Sequence, residues 1–210
     1  AGAGARVDRG RDDAARAAVR VLPTGAGRAA AEGFACRRCG LVGGHDLLVR
    51  RAGLKLVGFH AMNACRTEKG YRHWGHDIGI DDNPLQAGLA FTCAWDKPGG
   101  FIGRDVLLAA KAAGVPQRRL LQFRLDDPEV LLVHEEPIFA DGQPVGVITS
   151  GMYGHRVQAS LGMGYVRRPH AITPDWIAAT RFEIGVGDRR VKATAQLGAW
   201  YDPKNERIRT

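Results

Sequence analysis

Pro137-Ile138-Phe139-Ala140-Asp141-Gly142-Gln143-Pro144-Val145-Gly146-Val147-Ile148 holds two short apolar runs joined through Asp-Gly. Asp-Gly supplies the left-handed backbone that a tight β-hairpin turn demands, so the stretch reads as two antiparallel strands. Working outward, Leu120 to Leu125 sets Leu120, Gln122 and Arg124 on one face against Leu121, Phe123 and Leu125 on the other. That period of two is the mark of a half-buried strand. Ser160 to Arg167, Arg181 to Val186 and Arg190 to Leu197 supply further strands, with Gly187-Asp188 closing the last pair. Short strands at regular spacing predict a small antiparallel barrel or sandwich.

Upstream of Pro116 the pattern is helical and turn-rich. Phe101 to Ala113 reads as an amphipathic helix with Val106, Leu107 and Ala110 on one face, stopped by Gly114 before Pro116. Phe59 to Arg66 gives one or two helical turns, with Gly70 as a stop. Asn83-Pro84 starts a turn, and Leu85 to Trp95 is an apolar stretch. The predicted class is therefore α+β, with helices and turns before Pro116 and strands after it.

Residues 1–50 have another character. Ala, Gly and Arg fill 30 of the 50 positions, Phe34 is the one aromatic residue, and Lys, Ile, Tyr and Trp are missing. Two readings stand: a low-complexity flexible arm, or a GC-rich reading frame translated out of register before an abrupt start near Leu54. An Arg-rich interaction module is the function class that the first reading would allow.

The net charge of +8 does not make a nucleic-acid binder. Residues 1–50 carry nine Arg and five acids, and the remaining 160 residues carry 21 basic and 17 acidic groups. No basic stripe interleaved with aromatic rings follows a phosphate backbone. No apolar run reaches membrane-spanning length. Cys36, Cys39, Cys65 and Cys93 are too few for a disulfide scaffold. Cys36-Arg-Arg-Cys39 has ligand spacing, but structural zinc needs four donors and His45 is the single nearby candidate.

Chemistry concentrates in Arg66-Thr67-Glu68-Lys69-Gly70-Tyr71-Arg72-His73-Trp74-Gly75-His76-Asp77-Ile78. This run resembles the R-x-E-K-G-Y-R-x-W-G-x-D-I segment of the folate domains fused to sarcosine and dimethylglycine dehydrogenases, and the shorter R-x-E-x-G of the glycine-cleavage T-protein. Further motifs follow in family order: Asp82 to Gly88, Lys97 with Phe101 to Arg104, Glu136-Pro137-Ile138, Val147 to Gly151, Tyr153-Gly154-His155 and Tyr201-Asp202-Pro203. The resemblance runs over residues 54–210.

The resemblance implies a tetrahydrofolate-binding region of the aminomethyltransferase type, with 51–115 as the C-terminal part of the folate-binding α/β domain and 116–210 as the C-terminal β-barrel domain. It would be part of a flavin-dependent dehydrogenase that oxidises a small methylated amine and passes a one-carbon unit to folate. FAD would belong to a domain not seen in this sequence, which has no G-x-G-x-x-G strand-turn-helix. The segment is then expected to be incomplete for catalysis. A non-catalytic scaffold like the regulatory subunit of pyruvate dehydrogenase phosphatase, or a glycine-cleavage aminomethyltransferase relative, is the alternative. The compartment would be the cytoplasm of a bacterium or the mitochondrial matrix.

By position, Arg66 and Glu68 match family residues at the folate site, and Tyr201 lies in the tail that approaches it. Arg66 suits a folate carboxylate through its guanidinium fork, or an internal ion pair with Glu68 or Asp77. Glu68 could accept from a pterin amino group or orient Arg66. Tyr71 and Trp74 could stack on a folate ring, or plug the core against the barrel. His73-x-x-His76 with Asp77 has a metal-like look, but a hydrogen-bonded loop is the plainer reading. Thr149-Ser150-Gly151 resembles a turn after the second barrel strand. Glu136 stands where the T-protein usually has an arginine, so that arginine's role is not carried over.

Overall fold

The structure, a computed structural model, describes residues 58–207. The Ala/Gly/Arg-rich segment, its Cys36/Cys39 pair with His45, and the expected start at Leu54 lie outside the described residues. Element order is α1 (Phe59–Glu68), a 3-10 turn (Ala90–Thr92), α2 (Arg104–Ala112), β1 (Arg118–Leu125), β2 (Pro137–Ala140), β3 (Gln143–Gly154), β4 (Ala159–Arg167), α3 (Pro174–Ala179), β5 (Phe182–Val186) and β6 (Arg189–Gln196).

The six strands close into an antiparallel barrel in the order β1-β4-β3-β2-β5-β6, with β6 returning to β1. Asp141 and Gly142 take φ of 50° and 82° at the β2–β3 turn, the left-handed pair that this hairpin requires. A register shift between Ile148 and Ser150 marks a bulge in β3, where an extra residue bends the strand and re-aims its side chains. Thr149-Ser150-Gly151 therefore lies inside a 12-residue strand and is not a turn. The bulge accounts for the turn-like look of these small residues.

Leu121, Phe123, Leu125, Ile138, Ile148, Val166, Phe182, Ile184 and Val191 fill the barrel interior. Phe123 and Phe182 meet edge to face at 5.6 Å, the arrangement that ring quadrupoles favour. Leu132, from the 126–136 connection, joins this core, and its N–H donates to Ser160 Oγ at 3.1 Å. A Cβ at Gly151 would lie 2.3 Å from the Leu132 carbonyl carbon. Glycine is therefore needed for that close approach.

The other face of β1 is not open to water. Leu120 and Gln122 are each 1% exposed, and Leu120, Met163 and Tyr165 form a second, smaller core. α1 packs over β3 and β4. The expected half-buried strand is thus buried on both faces.

Two helices depart from expectation. α2 begins at Arg104, not Phe101, because Gly103 sits at φ 84° as its left-handed N-cap, outside helical space. None of its residues is buried among the described residues. α3 was not anticipated, although Thr173-Pro174 is a readable start: the Thr173 hydroxyl accepts from Trp176 N–H and Pro174 occupies the first turn.

A three-way junction at the end of helix α1

The last turn of α1 carries Arg66 and Glu68, Lys69 follows in the capping turn, and the chain bends sharply there. Tyr71 N–H donates to Arg66 O at 2.8 Å and Gly70 N–H to Thr67 O at 3.1 Å, with Gly70 at φ 63°. This 6→1 and 5→2 pairing is a Schellman cap, and glycine at its left-handed position makes it unstrained. A Cβ at Gly70 would also meet Gln122 Nε2 at 3.0 Å. The cap therefore lies directly on β1.

Each charged residue of that turn grips a different part of the fold. Arg66 Nη1 donates to Asp77 Oδ2 at 2.9 Å and to Tyr71 O at 3.3 Å. Its Nε reaches Asn63 Oδ1 at 2.7 Å and its Nη2 reaches Ser150 Oγ at 2.9 Å. Of the readings open for this arginine, the Asp77 ion pair is the one present.

Glu68, 4% exposed, accepts the backbone N–H groups of Arg156 and Val157 on Oε1 at 2.5 and 3.1 Å. It thus fixes the β3–β4 turn, and it neither touches Arg66 nor faces solvent. Lys69 Nζ donates to Asp202 O, Asp202 Oδ2 and Asn205 Oδ1 at 2.5, 3.1 and 2.7 Å. Tyr201 N–H donates to Glu68 O at 3.1 Å, so the terminal segment is strapped onto the helix end.

Asp77 is the hub that the motif alone did not single out. It is fully buried. Besides Arg66 it accepts His73 N–H on Oδ2 at 2.8 Å and the Thr149 hydroxyl on Oδ1 at 2.5 Å. One carboxylate therefore ties α1, the 71–78 loop and the β3 bulge together. Such a group is satisfied by charge and by hydrogen bonds at once, which is what a buried carboxylate needs. Its signal in the sequence was faint: one Asp in a loop, with its partners 11 and 72 positions away.

Arg72 closes the loop's other side, donating to Ala87 O and Gly70 O at 3.0 and 2.5 Å. Burial pulls its pKa down, opposed by Asp77 and Tyr165. His73 and His76 rings lie 4.6 Å apart. Burial lowers the His73 pKa, and Arg66 and His76 add to that. No group of three metal-type side chains gathers among the described residues.

Tyr71 and Trp74 are not core plugs. They are 52% and 65% exposed, on a loop whose backbone Arg66, Arg72 and Asp77 hold in place. Beneath the same turn, Thr67 Oγ1 and Gln122 Oε1 are buried without a hydrogen-bond partner. The junction brings Arg66, Glu68 and the Tyr201 backbone together and leaves the two aromatic rings facing outward. Chemically it offers two exposed aromatic rings on an anchored loop, with Glu68 and Asp77 turned inward.

Comparison with known proteins agrees with this fold. Residues 118–202 match the glycine cleavage T-protein C-terminal barrel domain, and residues 47–97 match the GCVT N-terminal domain. The 4-methylaminobutanoate oxidase (formaldehyde-forming) of Paenarthrobacter nicotinovorans is 43% identical over 157 residues, 75% of this chain and 18% of that protein. Human mitochondrial sarcosine dehydrogenase is 35% identical over 159 residues, 75% of this chain and 17% of that one. The mitochondrial regulatory subunit of pyruvate dehydrogenase phosphatase from mouse is 31% identical over 159 residues, 70% and 18% of the two chains. The solved glycine cleavage system aminomethyltransferase T from Bartonella henselae superposes with a TM-score of 0.63 at 21% identity, over 80% of this chain and 44% of that one. That last likeness establishes the fold alone. The chain spans under a fifth of the length of the three curated relatives.

Proposed function

We propose, given that this chain belongs to the glycine-cleavage T-protein (aminomethyltransferase) superfamily, that residues 51–210 form part of the tetrahydrofolate-binding region of a flavin-dependent dehydrogenase of N-methylated amines. In this reading 51–115 is the C-terminal part of the folate-binding α/β domain and 116–210 is the C-terminal barrel domain. FAD would then be held by another part of a longer protein, a reading supported by curated relatives of which this chain spans under a fifth. The names of the curated relatives, an oxidase and two dehydrogenases acting on methylated amines, support the substrate class.

The observation that carries the reading is the exposed pair Tyr71 and Trp74 on a loop anchored by Arg66, Arg72 and Asp77. The residues fit a reduced pterin in part. The exposed rings suit stacking on its flat ring system. Arg66 and Glu68 are already engaged by the protein, so their part is to set the loop on the barrel. Tyr201 is placed by its N–H bond to Glu68. Tetrahydrofolate, when bound, supplies the nitrogen that takes up the one-carbon unit.

No helix among the described residues is long and apolar enough to cross a membrane. Cys65 and Cys93 are free thiols, in keeping with a reducing compartment, the bacterial cytoplasm or the mitochondrial matrix. Calorimetric titration of the full chain with tetrahydrofolate tests the reading: saturable binding is expected, weakened about three- to tenfold by Trp74→Ala. A folded chain that takes up no tetrahydrofolate favours a regulatory scaffold, the reading that the 31% identity to the phosphatase subunit supports.

A further inference from the structure

The geometry points to a second, separate site: a small-oxyanion pocket where the first turn of β1 meets the end of β4. A cavity of about 470 Å³ opens there, lined among others by Asn83, Gln86, Val115, Gln117, Arg118 and Arg167. Nothing in the proposed folate function uses these residues.

Three observations converge on an anion. First, Arg118 and Arg167 are direct cross-strand partners in the antiparallel β1–β4 register. Such partners put their Cβ atoms about 5 Å apart on one face of the sheet, where like charges repel. Both residues line the same cavity, so an anion there would meet Arg167 beside the already paired Arg118.

Second, the two cations are unequally served. Arg118 donates to Asp82 Oδ1 at 2.6 Å and Gln86 Oε1 at 3.3 Å, and stacks 3.6 Å over the Tyr165 ring. That orients the guanidinium and neutralises it in place. Arg167 is exposed and makes no hydrogen bond or ion pair among the described residues. It is the unsatisfied member of the pair.

Third, the remaining lining favours donors. Asn83 uses its side-chain oxygen on Gln86 N–H, which leaves its amide N–H₂ free to donate. The α2 end of the cavity is capped, since Ala113 N–H and Gly114 N–H close on Ala109 O and Lys111 O. Leu85, Ala110 and Val115 add apolar lining. Guanidinium forks with an adjacent amide donor select planar or tetrahedral oxyanions, so the ligand class is a carboxylate or phosphate group on a small molecule.

The test is a ¹H–¹⁵N NMR titration of the full chain with inorganic phosphate and, separately, with glutarate, in buffer free of both. Saturable shifts gathered at Gln86, Gln117, Arg118 and Arg167 are expected. Arg167→Gln should weaken binding about tenfold or more, the scale of a lost charge-assisted bond. Arg190→Gln, which removes an exposed guanidinium over Phe139, should leave it unchanged. Response to one titrant alone identifies the oxyanion as phosphate or carboxylate. Shifts spread over the surface arginines, no saturation with either titrant, or equal affinity in Arg167→Gln overturns the site. Because tetrahydrofolate is absent throughout, the outcome is independent of the folate reading.

Discussion

The Arg66 guanidinium and the Asp77 carboxylate meet at 2.9 Å, with the acid fully buried and the arginine side chain 16% exposed. Removing one partner of such a pair strands the other's charge in low dielectric, so the loss exceeds that of a surface bridge. Asp77→Asn keeps the shape and removes the charge. It should cost about 3 kcal/mol, read as a lower denaturation midpoint at unchanged slope. The same variant should loosen the 71–78 loop, visible as faster amide exchange at His73. A midpoint equal to that of the parent would place the hub's weight elsewhere.

Glu68 makes a separable prediction. Its carboxylate satisfies two backbone donors of the β3–β4 turn, and glutamine retains one side-chain oxygen for them. Glu68→Gln should therefore cost about 1 kcal/mol and Glu68→Ala about 2–3 kcal/mol, the difference between a weakened bond to a charged acceptor and stranded donors. Equal losses for the two would mean that the oxygen is not the group that matters.

The barrel interior gives the largest expected effect. Phe123 is wholly buried against Phe182 and its neighbours. Phe123→Ala should cost about 3–5 kcal/mol, while Phe123→Leu should keep most of that. Gly151→Ala should cost about 3 kcal/mol, since its methyl group collides with the Leu132 backbone, whose N–H is held by Ser160 Oγ. A tolerated alanine there would show that the connection can move aside.

Alkaline pH should act through Tyr165. Burial pushes its phenol up to about 12 from the ordinary 10, and the Asp82 carboxylate adds to that while Arg118 opposes it. An acid whose folded pKa is raised holds its proton better in the folded state. Its contribution is complete below pH 10 and is lost as pH rises from about 10 to about 12. Stability curves across that window should fall, and Tyr165→Phe should flatten the fall. An unaltered curve would assign the drop to other groups.

The terminal segment should come free when Lys69 is neutralised. Lys69→Met removes three hydrogen bonds, two of them to Asp202. Desolvation raises the Asp202 pKa, but bonds from Lys69, Arg207 and Glu206 outweigh it and hold the carboxyl below its usual range. That grip persists above the ordinary carboxylate pKa and fades as pH falls through the lower folded value. Limited proteolysis should cut the variant sooner between residues 200 and 207, with the barrel left intact. Equal cleavage rates would show that Tyr201 N–H and its neighbours suffice.

Much of the barrel is visible in the sequence because its strands obey a period of two on the inner face. Leu121, Phe123 and Leu125 announce themselves by alternation, and Asp141-Gly142 announces its turn by backbone chemistry. The outer face of β1 is silent. Gln122 is polar yet 1% exposed, because what covers it, the α1 cap at Gly70, is more than fifty residues earlier. The α2 boundary shifted for a local reason, since Gly103 at φ 84° interrupts an otherwise regular apolar pattern. At the junction, residue types were legible and partners were not. Nothing near Asp77 in the chain points to Thr149, and a buried carboxylate looks like any other until the strand that feeds it is in place.

A ring of strands in which β6 returns to β1 has no loose rim of amides and carbonyls on which a stranger's strand could crystallise. The barrel therefore resists fibre growth for as long as the ring stays shut. Its aggregation risk on warming then depends on the opening of the whole circle rather than on the fraying of any one edge.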